Sequence, residues 1–87
     1  YVKDNLLPTP PVFNEIQQAC QGPWAVMYAV FNMGHRMELI GPKKVLSTVT
    51  DIAASFGVEA KQVGHVSDGS GSNTLTLSTA VGHFDYR

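Results

Sequence analysis

The stretch Met33-Gly34-His35-Arg36-Met37-Glu38-Leu39-Ile40-Gly41-Pro42, followed by Val45, Leu46, Val49, Ile52, Ala53 and Phe56, decides how this 87-residue chain is read. His35, Met37 and Leu39 alternate with Arg36 and Glu38, the period-two pattern that predicts a strand over Met33 to Ile40. Gly41-Pro42 ends it. The six apolar positions that follow make one broad stripe at period 3.6, with Lys43, Lys44, Ser47, Thr48 and Asp51 opposite and Gly57 placed as the C-cap. Thr48 and Thr50 lower the helix propensity, so this helix depends on packing. Lys61 to Val66 and Thr74 to Ala80 predict two further strands, with Leu75 and Leu77 on one face and Thr74, Thr76 and Ser78 on the other. The unit from Met33 to Val66 then predicts a right-handed crossover between parallel strands, with the last strand returning antiparallel. Ser67 to Asn73 (67–73) is rich in residues that tolerate positive φ and is expected to be a hairpin loop.

Outward toward the N-terminus, residues 1–10 carry Pro8 and Pro10, with Pro11 next, and predict a stiff, Pro-rich extended lead-in. Thr9 is the expected N-cap, with Pro10 at the first helical position. Val12, Phe13, Ile16 and Cys20 recur at helical spacing, so a short amphipathic helix is expected to end at Gly22-Pro23. Trp24 to Phe31 is apolar on all sides, which fits either a short buried helix or a buried strand; Ala25, Met27 and Ala29 favour helix.

The predicted fold class is α/β of an α+β-like kind: a small mixed sheet of about three strands with helices mainly on one face. Residues 1–87 are read as a single partial domain, because one good helix leaves an apolar sheet face only partly covered. The chain opens on Tyr1-Val2-Lys3-Asp4 with neither an initiator Met nor a basic segment leading into an apolar one. It is therefore expected to be cut from something longer, without a signal peptide, and cytoplasmic. Six Lys+Arg against seven Asp+Glu argue against a nucleic-acid module, which needs a clustered basic face. The run Trp24 to Phe31 is far short of the roughly 20 apolar residues that span a bilayer. With 44% hydrophobic and 15% charged residues, the chain is also no acidic or disordered tail.

Few residues invite chemistry. His35, His65 and His83 have no i,i+4 spacing for a metal, and Cys20 is the one cysteine, expected as a buried, inert thiol on the helix stripe. Gly69-Ser70-Gly71 leads into a strand and not a helix, unlike a phosphate cradle. Glu15, Glu38, Asp51 and Glu59 are too scattered to propose an acid–base pair. The exception is Phe31-Asn32-Met33-Gly34, where Gly34 permits a bend or a close backbone approach and Asn32 supplies both donor and acceptor. A capped turn explains it as well as a ligand groove does.

These residues resemble a known family. Phe31-Asn32-Met33-Gly34 with Met37 is similar to the signature in the C-terminal half of aminoimidazole ribonucleotide synthetase, or phosphoribosylformylglycinamidine cyclo-ligase. Pro10-Pro11-Val12-Phe13 with Ile16-Gln17, Met27-Tyr28, and Val63-Gly64-His65-Val66 resemble flanking elements of the same family. The likeness runs from Pro10 to about Leu77.

The resemblance implies a piece of the C-terminal domain of an ATP-dependent cyclo-ligase of purine biosynthesis, which closes formylglycinamidine ribonucleotide to aminoimidazole ribonucleotide. It implies ATP and Mg²⁺ in the full-length parent, with none expected on this piece, and an N-terminal ATP-binding domain as partner in a homodimer. A nucleotide substrate is implied, with no nucleic acid and no membrane. Asn32, Met33, Gly34, His35 and Arg36 are the expected substrate-groove residues; no catalytic residue and no metal ligand is assigned. The chain departs from the family in lacking the His-x-Thr-Gly-Gly-Gly segment, so it should not catalyse alone. It also carries Arg36 where many members have a second glycine. Arg36 could offer its fork to a phosphate or be an exposed strand residue paired with Glu38. A non-catalytic binding module remains an alternative. So does a relative such as a thiamine phosphate kinase or a selenophosphate synthetase, although the Phe-Asn-Met-Gly run argues against those two.

Overall fold

A computed structural model describes residues 1–69 and 71–87. The order is β1 (Val2–Lys3), α1 (Pro11–Cys20), α2 (Trp24–Val30), a 3-10 turn (Lys43–Val45), α3 (Leu46–Ser55), β2 (Gly64–His65), β3 (Leu75–Thr79) and β4 (Gly82–Tyr86). The fold is α+β, with three α-helices and one mixed sheet in the order β2-β1-β3-β4. β1 is central: it runs antiparallel to β2, pairing Val2 with His65, and parallel to β3, pairing Val2 with Thr76 and Lys3 with Leu77. β3 and β4 form an antiparallel hairpin in which Leu77 faces Phe84 and Leu75 faces Tyr86.

The helices form where the prolines and the apolar spacing direct them. Pro10 precedes α1 in extended geometry (φ −59°, ψ 146°) and Pro11 occupies the first turn, so the start lies one residue later than Thr9 and Pro10 predict. α1 stops where Gln21 turns left-handed (φ 53°) and donates its N–H to the Gln17 carbonyl at 2.8 Å. Trp24 to Val30 is helical. It is not wrapped in protein, because Met27 alone is buried and Val30 is 67% exposed. α3 ends as its glycine predicts: Gly57 (φ 72°) donates to Ala54 at 3.0 Å and Val58 to Ala53 at 3.0 Å, the paired bonds of a Schellman cap.

Four expectations give way. Met33 to Ile40 forms a turn at Met33–Gly34 followed by residues without regular secondary structure, outside the sheet, despite its alternation. The partner slot beside β3 is taken by the two residues of β1, so no crossover spans Met33 to Val66. β2 and β3 are not paired with each other, since β1 lies between them; Ser70, and with it the 67–73 hairpin-loop and Gly69-Ser70-Gly71 readings, falls outside the described residues. Cys20 is exposed and not buried. α1 turns Phe13, Ile16 and Gln17 inward, which carries Val12 and Cys20 one step off the covered face.

The core is small. Met27, Met33 and Leu77, at 2%, 2% and 4% exposure, are its fully buried residues among those described. Around them the Tyr28 and Phe84 rings meet at 5.8 Å, tilted by 34°, Phe13 and Phe31 meet at 6.0 Å, and the Tyr86 hydroxyl donates to the Ala25 carbonyl at 2.5 Å. α2 is thereby fastened over the β3–β4 hairpin. At β2, a side chain on Gly64 would collide with the Val2 carbonyl oxygen, so the short outer strand depends on glycine there. The chain is flat, 40 × 38 × 17 Å, with a radius of gyration of 14.5 Å against about 12 Å for a compact domain of this length. Its accessible surface is 6665 Å², where a compact protein of this mass exposes about 5,000 Å².

Candidate functional site

The Phe31–Gly34 run folds into a tight turn. His35 N–H donates to the Asn32 carbonyl at 3.0 Å, and the two central residues both have positive φ, 54° at Met33 and 93° at Gly34, the pattern of a type I′ turn. Asn32 Oδ1 accepts the Gly34 N–H at 2.9 Å and closes an Asx turn on top of it. A left-handed methionine costs on the order of 1–3 kcal/mol, and near-complete burial of the Met33 side chain offsets that strain. Gly34 is required twice. Its φ disfavours any side chain, and a Cβ there would meet the Pro10 ring at 2.8 Å. The close approach that this glycine permits is therefore to the lead-in of the same chain.

Two contacts hold the following residues against that lead-in. His35 Nε2 accepts the Leu7 N–H at 3.1 Å, which puts the ring hydrogen on Nδ1. Lys3 Nζ donates to Glu38 Oε1 at 2.6 Å, with the two side chains 25% and 40% exposed. A pair this exposed adds little stability, about 0–1 kcal/mol, and its effect is to place the segment. It also answers one sequence reading: Glu38 takes Lys3 and not Arg36.

Between the turn, β1 and β3 lies a half-open cavity of about 250 Å³. Its apolar floor and walls include Leu6, Tyr28, Phe31, Met33 and Leu77, and its polar lining comprises Lys3, Asn32, His35, Arg36 and Glu38. Of the residues singled out in the sequence, Asn32, Met33, His35 and Arg36 come together here, while Gly34 sits against Pro10. Met33 contributes from the core, at 2% exposure. Lys3 and Tyr28 were not anticipated. Nothing local marks Lys3, which reaches Glu38 across 35 residues of sequence only because β1 inserts into the sheet. Tyr28 lies in the Met-Tyr pair quoted above, the one signal that pointed toward it.

The remaining chemistry-bearing residues stay apart. Among the described residues no three His, Cys, Asp or Glu side chains come together as a metal site, and His65 and His83 are exposed. Tyr86 is the one described group with a clear shift: partial burial, and secondarily the neighbouring Tyr28, raise its hydroxyl above the ordinary 10.0. Among the described residues no helix is long and apolar enough to cross a membrane.

Comparison with known proteins converges on the same residues. Residues 4–75 match the family described as AIR synthase related protein, C-terminal domain. A phosphoribosylformylglycinamidine cyclo-ligase of Methanopyrus kandleri is 42% identical over 71 residues, covering 82% of this chain and 20% of that protein. One from Staphylococcus aureus (strain Newman) is 39% identical over 59 residues, 68% of this chain and 17% of that protein. The chain thus spans about a fifth of the length of these curated relatives. A match over most of the chain, running through the Asn32–Gly34 turn and the cavity around it, makes this chain a member of the AIR synthase related family, in its C-terminal domain.

Proposed function

We propose that this chain is the C-terminal-domain portion of a cytoplasmic, ATP-dependent phosphoribosylformylglycinamidine cyclo-ligase, and that the cavity beside the Asn32–Gly34 turn lines its substrate groove. The observation that carries the reading is the convergence of Asn32, His35 and Arg36 on one cavity within a stretch where cyclo-ligases are 39–42% identical to this chain. In the proposed reaction, phosphoryl transfer from ATP to the substrate's amide oxygen makes a leaving group. A nitrogen of the same substrate then forms the ring C–N bond as phosphate departs. Such chemistry rests on positioning and on electrostatic stabilisation of the transferring group.

The residues of this chain fit the positioning part. Mg²⁺ asks for several oxygen ligands, and the one carboxylate of the cavity, Glu38, is held by Lys3. The resemblance puts the metal–nucleotide site in an N-terminal domain of the parent enzyme, in a homodimer, and the lining of this cavity agrees with that division. What this chain supplies is a rigid turn. Buried Met33, Gly34 against Pro10 and His35 bonded to Leu7 hold the Asn32 amide and the Arg36 backbone in place beside an apolar cavity.

The test is turnover by the polypeptide that carries this chain. Incubated with phosphoribosylformylglycinamidine, ATP and Mg²⁺, it should yield aminoimidazole ribonucleotide, ADP and phosphate in equal amounts, and Asn32→Ala should slow it at least about 10-fold. No ring-closed product from the wild-type protein would end the proposal.

A further inference from the structure

The cavity's polar lining sorts by what is already engaged. Lys3 and Glu38 neutralise each other at 2.6 Å. Asn32 Oδ1 is occupied by the Gly34 N–H, which leaves its amide hydrogens, and His35 Nε2 is occupied by the Leu7 N–H, which leaves Nδ1–H. Arg36 is exposed, and its guanidinium makes no hydrogen bond or ion pair with any described residue. What remains on offer is a set of donors carrying one uncompensated positive charge. Such a set selects an anion, and the planar fork of arginine matches phosphate oxygens two at a time.

The other dimensions narrow the anion. A nucleoside di- or triphosphate usually arrives with Mg²⁺, which needs free carboxylates, and the single carboxylate here is already bound. About 250 Å³ falls below the roughly 300–1,000 Å³ of pockets that enclose a whole drug-sized ligand, yet it far exceeds the roughly 30 Å³ share of one water. It accommodates one end of a nucleotide. The Tyr28 and Phe31 walls suit the faces of a sugar more than bulk water.

We infer that Arg36 is the anion-binding residue of this cavity and that its ligand is a sugar phosphate monoester, the phosphoribosyl end of the substrate. This rests on the cyclo-ligase reading for the identity of the substrate, though not for the chemistry of the site. Because Arg36 holds no other described group in place, replacing it leaves the turn and the core intact.

The experiment has two arms on the same full-length polypeptide. In the first, Arg36→Gln should raise KM for phosphoribosylformylglycinamidine about 10- to 100-fold, the loss expected for hydrogen bonds to a charged group, while KM for ATP and kcat hold. Arg36→Lys, which keeps the charge and loses the fork, should fall between. In the second arm, calorimetric titration with ribose 5-phosphate should show binding to the wild type that Arg36→Gln abolishes, with ribose itself binding neither. An unchanged substrate KM, a shift confined to ATP, or equal ribose 5-phosphate affinity in wild type and Arg36→Gln would each overturn the inference. If the wild type binds ribose 5-phosphate through Arg36 and forms no ring-closed product, the cyclo-ligase reading fails and the sugar-phosphate site stands.

Discussion

α2 and α3 invert the usual relation between sequence pattern and burial. α3 has the cleaner amphipathic stripe, a proper cap at Gly57 and ten residues, yet none of them is buried, and Ile52 and neighbouring Phe56 are 56% and 79% exposed. α2 has seven residues and no polar face, yet it carries Met27 into the core, sets the Tyr28 ring against Phe84 and receives the Tyr86 hydrogen bond at Ala25. An apolar stripe records that a helix face is meant to be covered. It does not record by what. The sheet covers α2; in this chain α3 has the 3-10 turn before it as its main neighbour. The extra surface, about a third above that of a compact protein of the same mass, is the global form of the same contrast.

The strongest way to break the comparison is a pair of truncations. Met27→Ala removes a side chain that is 2% exposed and should cost about 2–5 kcal/mol in urea unfolding of the chain, whereas Phe56→Ala should stay within about 0.5 kcal/mol. Equal losses would mean that α3 is packed as firmly as α2. A smaller effect is expected at the turn that joins α2 to the cavity. Gly34→Ala forces a side chain into positive φ and against Pro10, for a cost of about 1–3 kcal/mol. The amide of Leu7, whose bond to His35 depends on that turn, should then exchange with deuterium faster than in the wild type. Unchanged Leu7 protection would detach the turn from the lead-in.

The mildest prediction concerns the fastening of α2 to β4. Tyr86→Phe deletes the hydroxyl that Ala25 accepts and should cost about 1 kcal/mol near neutral pH. The Tyr86 hydroxyl titrates above 10.0 in the folded chain and near 10.0 when unfolded, so below pH 10 both states keep the proton and the full stabilisation is present. As pH rises past that point the unfolded chain ionises first and stability falls, until folded Tyr86 ionises too. Unfolding midpoints measured from pH 9 to 11 should show this decline in the wild type and a shallower one in Tyr86→Phe. Parallel curves would remove Tyr86 from the α2 anchor.

The same logic separates what was legible from what was not. β3 was readable from its alternating Leu75 and Leu77. β4 carries an equal signal, Phe84 and Tyr86 alternating with His83 and Asp85 after a two-residue turn, although the reading above stops at Ala80. β1 had no signal to read, because two residues cannot show a period and three prolines follow them. The candidate site divides likewise. Asn32, His35 and Arg36 were visible as a run, whereas the meeting of Lys3 with Glu38, and of Gly34 with Pro10, joins residues tens of positions apart.

By itself the sequence determined the local conformations: where prolines start helices, where Gly57 stops one, and that Gly34 must sit at a bend. These follow from φ preferences and backbone hydrogen bonds a few residues away. The tertiary structure alone decided that the alternating residues 35–40 lie outside the sheet, that Val2–Lys3 takes the place beside β3, and that Glu38 is neutralised while Arg36 is not. Strand membership and charge pairing depend on which distant segment the whole fold brings beside an open edge or a free carboxylate, and no local pattern encodes that proximity.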